Sequence, residues 1–318
     1  MEGPVDWADL VDLQVAERGS LAAVALHVAE RRGFAEDVES VERGLRRLRA
    51  RGAKPGGVWG ERLLRACGLP APLAARVRWM GQYHTRFTDL PVSLGAELLA
   101  AWDRPPISES PARVWTLLGR AGVAIRRRQS AAALLDQAAL VAARAEPAAR
   151  VELALVRAYV DGRLDPEGAR HWLDVAETGL DDSEISQEDQ ACLRARLVDH
   201  RAWYLNRQPP LDHAAAAALY ASLPTDGPPF ARCRRATGLG WSLLKLGDRP
   251  AAMAEAHTAV EAAGDGGLLR LRAMALNLLA HAAEESEAAR ARARAAAIAQ
   301  RLEDEALQVR FGVRSAKT

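Results

Sequence analysis

RRATGLGWSLLKLGDRPAAMAEAHTAVEAAGD, residues 234–265, is the stretch whose reading decides the fold. Its first half places Gly240 and Leu243 on one helix, Gly247-Asp248 breaks the pattern, and Ala252 and Ala259 then recur on one face of a second helix. Two helices joined by so short a turn pack side by side. Glycine and alanine at the contact let them approach closely, and the larger leucine fills the remaining gap. Outward from this hairpin, nearly every segment between breakers has helical period, and strand-type alternation is absent, so the chain is expected to be all-α. Breakers cluster at GAKPGG (52–57), GLPAP (68–72), DRPPISESP (103–111), RQPP (207–210) and PTDGPP (224–229), which predicts helices of roughly 12–20 residues joined by short turns. The 103–111 stretch separates a Trp- and Gly-rich region from a monotonous Ala/Leu/Arg region, and is the expected domain boundary.

The hairpin repeats. Taking the first small residue of each second helix as a marker places it at Ala131, Ala169, Ala215, Ala252 and Ala289, at steps of 38, 46, 37 and 37 residues. A small and then a larger residue on helix A, glycine at the turn, and two small residues on helix B make residues 234–265 resemble a tetratricopeptide repeat, whose ideal unit is about 34 residues. VWTLLGRAGVAIRRRQSAAALLDQAALVAARA (114–145), with Gly119, Ala131 and Ala138, is similar to the same unit. The resemblance covers about residues 110–305. It implies a superhelix of helical hairpins whose concave face, lined by the A helices, binds a peptide or protein segment.

A formal net charge of +2 gives no global field that would select nucleic acid or membrane, so any such claim rests on local clusters. Cys67, Cys192 and Cys233 are far apart and lack C-x-x-C spacing, which fits reduced thiols rather than a disulfide frame or a zinc site. The acidic start MEGPVDWADL and the lack of any run of about 18 apolar residues argue against secretion or membrane insertion, so the cytoplasm is the expected location. Short signatures of nucleotide hydrolases, zinc proteases, serine hydrolases and calcium loops are missing, and a non-enzymatic protein without cofactor or metal is expected. Gly238-Leu239-Gly240 lies within a helical pattern and reads as helix packing rather than a dinucleotide loop. His213, His257 and His281 recur near repeat positions without ligand spacing, and the acidic stretch 181–190 reads as a solvated loop between repeats.

Most of the eight tryptophans sit where a large ring fills a gap between helices. The expected exception is HRAWYLNRQPP, where His200, Trp203, Tyr204 and Arg207 gather on a helix-A-like segment as a candidate partner-binding patch. At the other end, residues 5–52 form three helical segments, with Ser20 and Asp37 as expected N-caps. SVERGLRR resembles the end of the third helix of phage-repressor-type helix-turn-helix domains. Arg43, Arg46, Arg47 and Arg51 are the candidate DNA contacts. Glu36, Asp37, Glu39 and Glu42, however, occupy the turn that would read base edges, so a packing helix with a solvated charged face stands as the alternative. KPGGVWGERLLR (54–65) leads into a helix N-terminus that in principle holds an anion, and a flexible turn is the plainer reading. The expected organisation is an N-terminal helical domain (5–105), a tetratricopeptide-like domain (110–305) and a tail (306–318). Two functions follow: an adaptor that binds a peptide or protein, or a transcriptional regulator that adds DNA binding through residues 5–52.

Overall fold

A computed structural model describes residues 3–31, 37–162 and 165–313. The chain is all-α: the described residues form seventeen α-helices and two short 3-10 turns, and no strand. No helix among them is long and apolar enough to cross a membrane.

Four helices open the chain: α1 (Trp7–Arg18), α2 (Leu21–Glu30), α3 (Val38–Arg49) and α4 (Gly57–Cys67). Ser20 and Asp37 cap α2 and α3 as their sequence positions predict, accepting from the N–H groups of Ala23 and Ser40. Glu36 lies outside the described residues. Val41, Leu45 and Leu48 of α3 are buried, with Val38 packed beside them. The centre of this bundle is Trp7, fully buried, whose indole N–H donates to the Lys54 carbonyl at 2.9 Å. Two of the glycines of KPGGVWG, Gly56 and Gly60, are explained by that ring. A Cβ on Gly60 would stand 2.7 Å from it, and one on Gly56 would overlap it, so these positions admit no side chain. The Gly56 N–H donates to the Glu109 carboxylate at 3.0 Å, so the anion at the start of α4 is one of the chain's own groups.

Next come α5 (Ala71–Gly81) and α6 (Val92–Trp102), and then five helix pairs. These are α7 (Arg113–Arg126) with α8 (Ala132–Ala142), α9 (Pro147–Asp161) with α10 (Pro166–Leu180), α11 (Gln187–Arg207) with α12 (His213–Ala221), α13 (Pro229–Lys245) with α14 (Arg249–Asp265), and α15 (Leu269–Ala282) with α16 (Glu285–Arg301). Each pair packs together, and the first helices also touch in series from α7 to α15. Ala131 and Ala138, Ala169 and Ala176, and Ala252 and Ala259 are buried at the contacts. Within the alanine run 214–218, where the marker is expected at about Ala215, Ala216 is the buried residue, and the last marker moves by one residue, from Ala289 to the buried Ala288. Runs of alanine carry no size contrast, so sequence alone does not reveal which one faces inward. Gly238 packs on the Tyr220 ring, and a Cβ on Gly240 would stand 2.6 Å from Leu278.

The 103–111 stretch is a turn, as expected, but it does not divide the molecule into separate cores. Ile107 is buried there, and one apolar cluster runs from Val5 and Trp7 through Trp115 to Leu197. The tail expected from 306 begins instead within α17 (Glu305–Arg310), anchored by buried Leu307. The helix series also meets its own start. Val92 N–H donates to Leu302 O at 3.0 Å, Ser93 N–H to Glu303 at 2.9 Å, and the Arg126 guanidinium to Asp304 at 3.0 Å and Leu302 O at 3.1 Å.

Candidate functional site

The segment 82–91, which links α5 to α6 through turns and the short 3-10 helix Arg86–Asp89, lies against the first helices of the later pairs and is here called the strap. It starts at a hub. Asp189, in the first turn of α11, accepts from Arg78 at 2.5 Å and Gln82 at 2.9 Å, and meets the His84 ring at 2.9 Å. Burial alone would raise its pKa, but the hydrogen bonds from His84 and Ser186 and the Arg78 charge outweigh burial, holding the carboxyl well below its usual range.

Tyr83 then enters a ring of arginines. The guanidiniums of Arg196 (α11), Arg234 (α13) and Arg270 (α15) stand 4.6, 5.3 and 5.4 Å from its ring centroid, and Phe230 meets it edge-on at 6.1 Å. Its hydroxyl accepts from Arg234 at 2.7 Å and from Arg270. The arginines are themselves paired: Arg196 with Glu152, Arg234 with Asp199 at 2.9 Å, and Arg270 with Asp304 at 2.9 Å, a carboxylate shared with Arg126. Burial tends to raise the Tyr83 pKa, yet Arg234, Arg270 and Arg196 together pull it below its ordinary value.

Six residues on, Asp89 accepts the Arg270 N–H at 2.8 Å. Residue 268, at the N-cap of α15, is a leucine with no side-chain oxygen, so the strap supplies the acceptor that this helix start lacks. Burial pushes the Asp89 carboxyl above its ordinary value. Between the two anchors Phe87 is buried, edge-on to Trp79 at 5.3 Å, and beyond them Leu90 O accepts from Arg126 at 3.0 Å.

The candidate patch divides. Residues 196, 200, 203 and 207 fall on one face of α11 by helical spacing, beside the strap. His200 lies 6.2 Å from the Tyr159 ring of α9, and burial pushes its pKa down to about 4 against the pull of Asp199. Trp203 is 43% exposed, and Arg207 is exposed with no ion pair among the described residues, so both are free to meet a partner. Tyr204 does not belong to this surface: its hydroxyl turns to Ala158 O at 3.5 Å and its side chain packs on Gly162 between α9 and α10. A single residue, about 100° of heading around the helix, separates a surface ring from a packing ring.

On α3, Arg43 pairs with Glu39 at 3.9 Å and Arg46 with Glu42 at 2.5 Å. Arg51 donates to Pro55 O at 2.7 Å, and Arg47 is exposed without an ion pair among the described residues. Elsewhere, His213 bonds Asn206, His281 bonds the Asn277 carbonyl and His257 faces Glu287 at 3.6 Å. No group of residues among those described has the makings of a metal site. The acidic stretch 181–190 is more than a solvated loop, since Asp189 is the strap's hub.

Sequence reasoning missed Tyr83, Asp89, Asp189 and the three arginines. One signal was there to find: Arg196, Arg234 and Arg270 recur at steps of 38 and 36 residues, the period of the repeat itself. No family model matches this sequence, and no curated protein or solved structure matches the chain.

Proposed function

We propose that this is a non-enzymatic, cytoplasmic binding protein that holds a segment of a partner protein on the first helices of a tetratricopeptide-like array. One observation carries the reading: the face of α11, α13 and α15 already holds a short linking segment of turns and one 3-10 turn, the strap, through Tyr83 and Asp89. A surface that grips a short chain segment by repeat-spaced arginines is suited to peptide recognition, because each helix pair contributes a side chain and the array supplies area. Trp203 and Arg207 extend this face into solvent and are of the residue types that dominate binding energy.

The test is selection of a random-peptide display library against the full chain, followed by anisotropy titration of the enriched peptides. Saturable binding that weakens about fivefold or more in Trp203→Ala and Arg207→Ala supports the reading. Failure of any peptide to enrich, or equal binding by both variants, refutes it. The regulator reading is tested separately by duplex-DNA mobility shift. The acids beside Arg43 and Arg46 offset the charge that phosphate contact requires, which is why the adaptor is preferred.

A further inference from the structure

The strap tells what its face recognises, and this inference rests on the peptide-binding reading and sharpens it. Three guanidiniums bracket one aromatic ring, and two of them donate to its hydroxyl, so a phenylalanine would fill the space but leave those donors without their acceptor. The Nε of Arg234 is buried with no hydrogen-bond partner, so this donor set still has capacity for an acceptor. At the far end the start of α15 lacks a capping side chain and takes a carboxylate from outside its own sequence. One oxygen of Asp89 is buried without a partner, so the strap itself satisfies that position incompletely.

We propose that the partner segment carries a tyrosine followed six residues later by an aspartate or glutamate, and that it binds by replacing Tyr83 and Asp89 of the strap on α11, α13 and α15. The strap is placed for exchange. Tyr83, Thr85, Thr88, Asp89 and Leu90 are half-buried and Arg86 is exposed, whereas Gln82, Phe87 and the His84 side chain are buried, so a competitor meets the segment first on its exposed side. Because the strap is tethered, its effective concentration at the face is on the order of millimolar, and a partner binds only by out-competing it. The strap thus sets a threshold that excludes segments lacking either anchor.

The probe is a fluorescein-labelled synthetic peptide of residues 80–93, MGQYHTRFTDLPVS, added in trans to the full chain. Wild type and a Tyr83→Ala/Asp89→Ala double variant are titrated by anisotropy. The double variant, whose strap no longer competes, is expected to bind at least about tenfold more tightly than wild type. The same peptide with phenylalanine for its tyrosine, or asparagine for its aspartate, is expected to bind about tenfold more weakly. Equal binding by wild type and double variant, or equal binding of the altered peptides, overturns the proposal. Should the double variant not melt cooperatively, Tyr83→Phe keeps the ring and is expected to gain about threefold or more, with no gain overturning the proposal. Library-selected peptides that bind without being displaced by the 80–93 peptide overturn this inference and leave the peptide-binding reading standing. Absence of binding by any peptide overturns both.

Discussion

Tyr83→Phe is the most informative single change in the protein. The substitution keeps the ring against Arg196, Arg234, Arg270 and Phe230 and removes only the hydroxyl that accepts from Arg234 and Arg270. A hydrogen bond to a charged group contributes about 1.5–3 kcal/mol. The two losses do not add fully, because Arg234 and Arg270 keep Asp199 and Asp304. A net loss of about 2–3 kcal/mol follows, which for a chain of this size lowers Tm by roughly 3–5 °C. The effect has a pH signature. With its folded pKa below the ordinary value of about 10, Tyr83 sheds its proton in the folded state before the unfolded one. Between those two values the unfolded state binds more protons, so wild-type stability rises with pH there. The Tm gap between wild type and Tyr83→Phe should therefore widen as pH rises from 8 towards 10, measured by circular-dichroism melts. A gap that is absent, or that stays constant with pH, refutes the placement of this hydroxyl among the arginines.

Gly240→Leu should cost about 1–3 kcal/mol by overpacking against Leu278, with amide protection falling more over residues 230–300 than over 110–160 in hydrogen exchange. Asp189→Asn should loosen the start of the strap and destabilise by about 2 kcal/mol at pH 7. Because the folded pKa of Asp189 is depressed, that difference should stay full above about pH 4 and shrink progressively as pH falls further, read from paired melts. His200 resists protonation down to about 4, so wild-type stability should fall as pH drops from about 6.5 towards 4, and His200→Gln should flatten that slope in denaturant titrations. Replacing Arg43, Arg46 and Arg47 by alanine should leave helicity unchanged. A wild type that shifts duplex DNA at low salt, with a slope reduced in this variant by up to about 0.9 per lost phosphate contact, would instead favour the regulator.

The helices were legible because period and breakers are local properties. The buried face of α3, the caps at Ser20 and Asp37 and the hairpin at 234–265 all follow from residues a few positions apart. The alanine of α16 was misplaced by one residue, and that of α12 could be narrowed only to the run 214–218, because neighbouring alanines are alike in size. The strap was not legible, since QYHTRFTD has no period and its meaning depends on partners more than a hundred residues away. Trp203 is exposed, as its polar neighbours suggest, whereas Tyr204 next to it packs on Gly162, a distinction that neighbouring residues in the sequence do not carry. The glycines at 56 and 60 likewise look like a flexible turn until Trp7 is set against them.

The central claim is that a partner segment and the strap compete for one face. Hydrogen exchange of residues 82–93, followed with and without a saturating display-selected peptide, addresses it directly. The account predicts that peptide binding removes protection from the amides of this segment that are bonded in the free protein, including Val92 to Leu302 O. Unchanged or increased protection of residues 82–93 at saturation would contradict it.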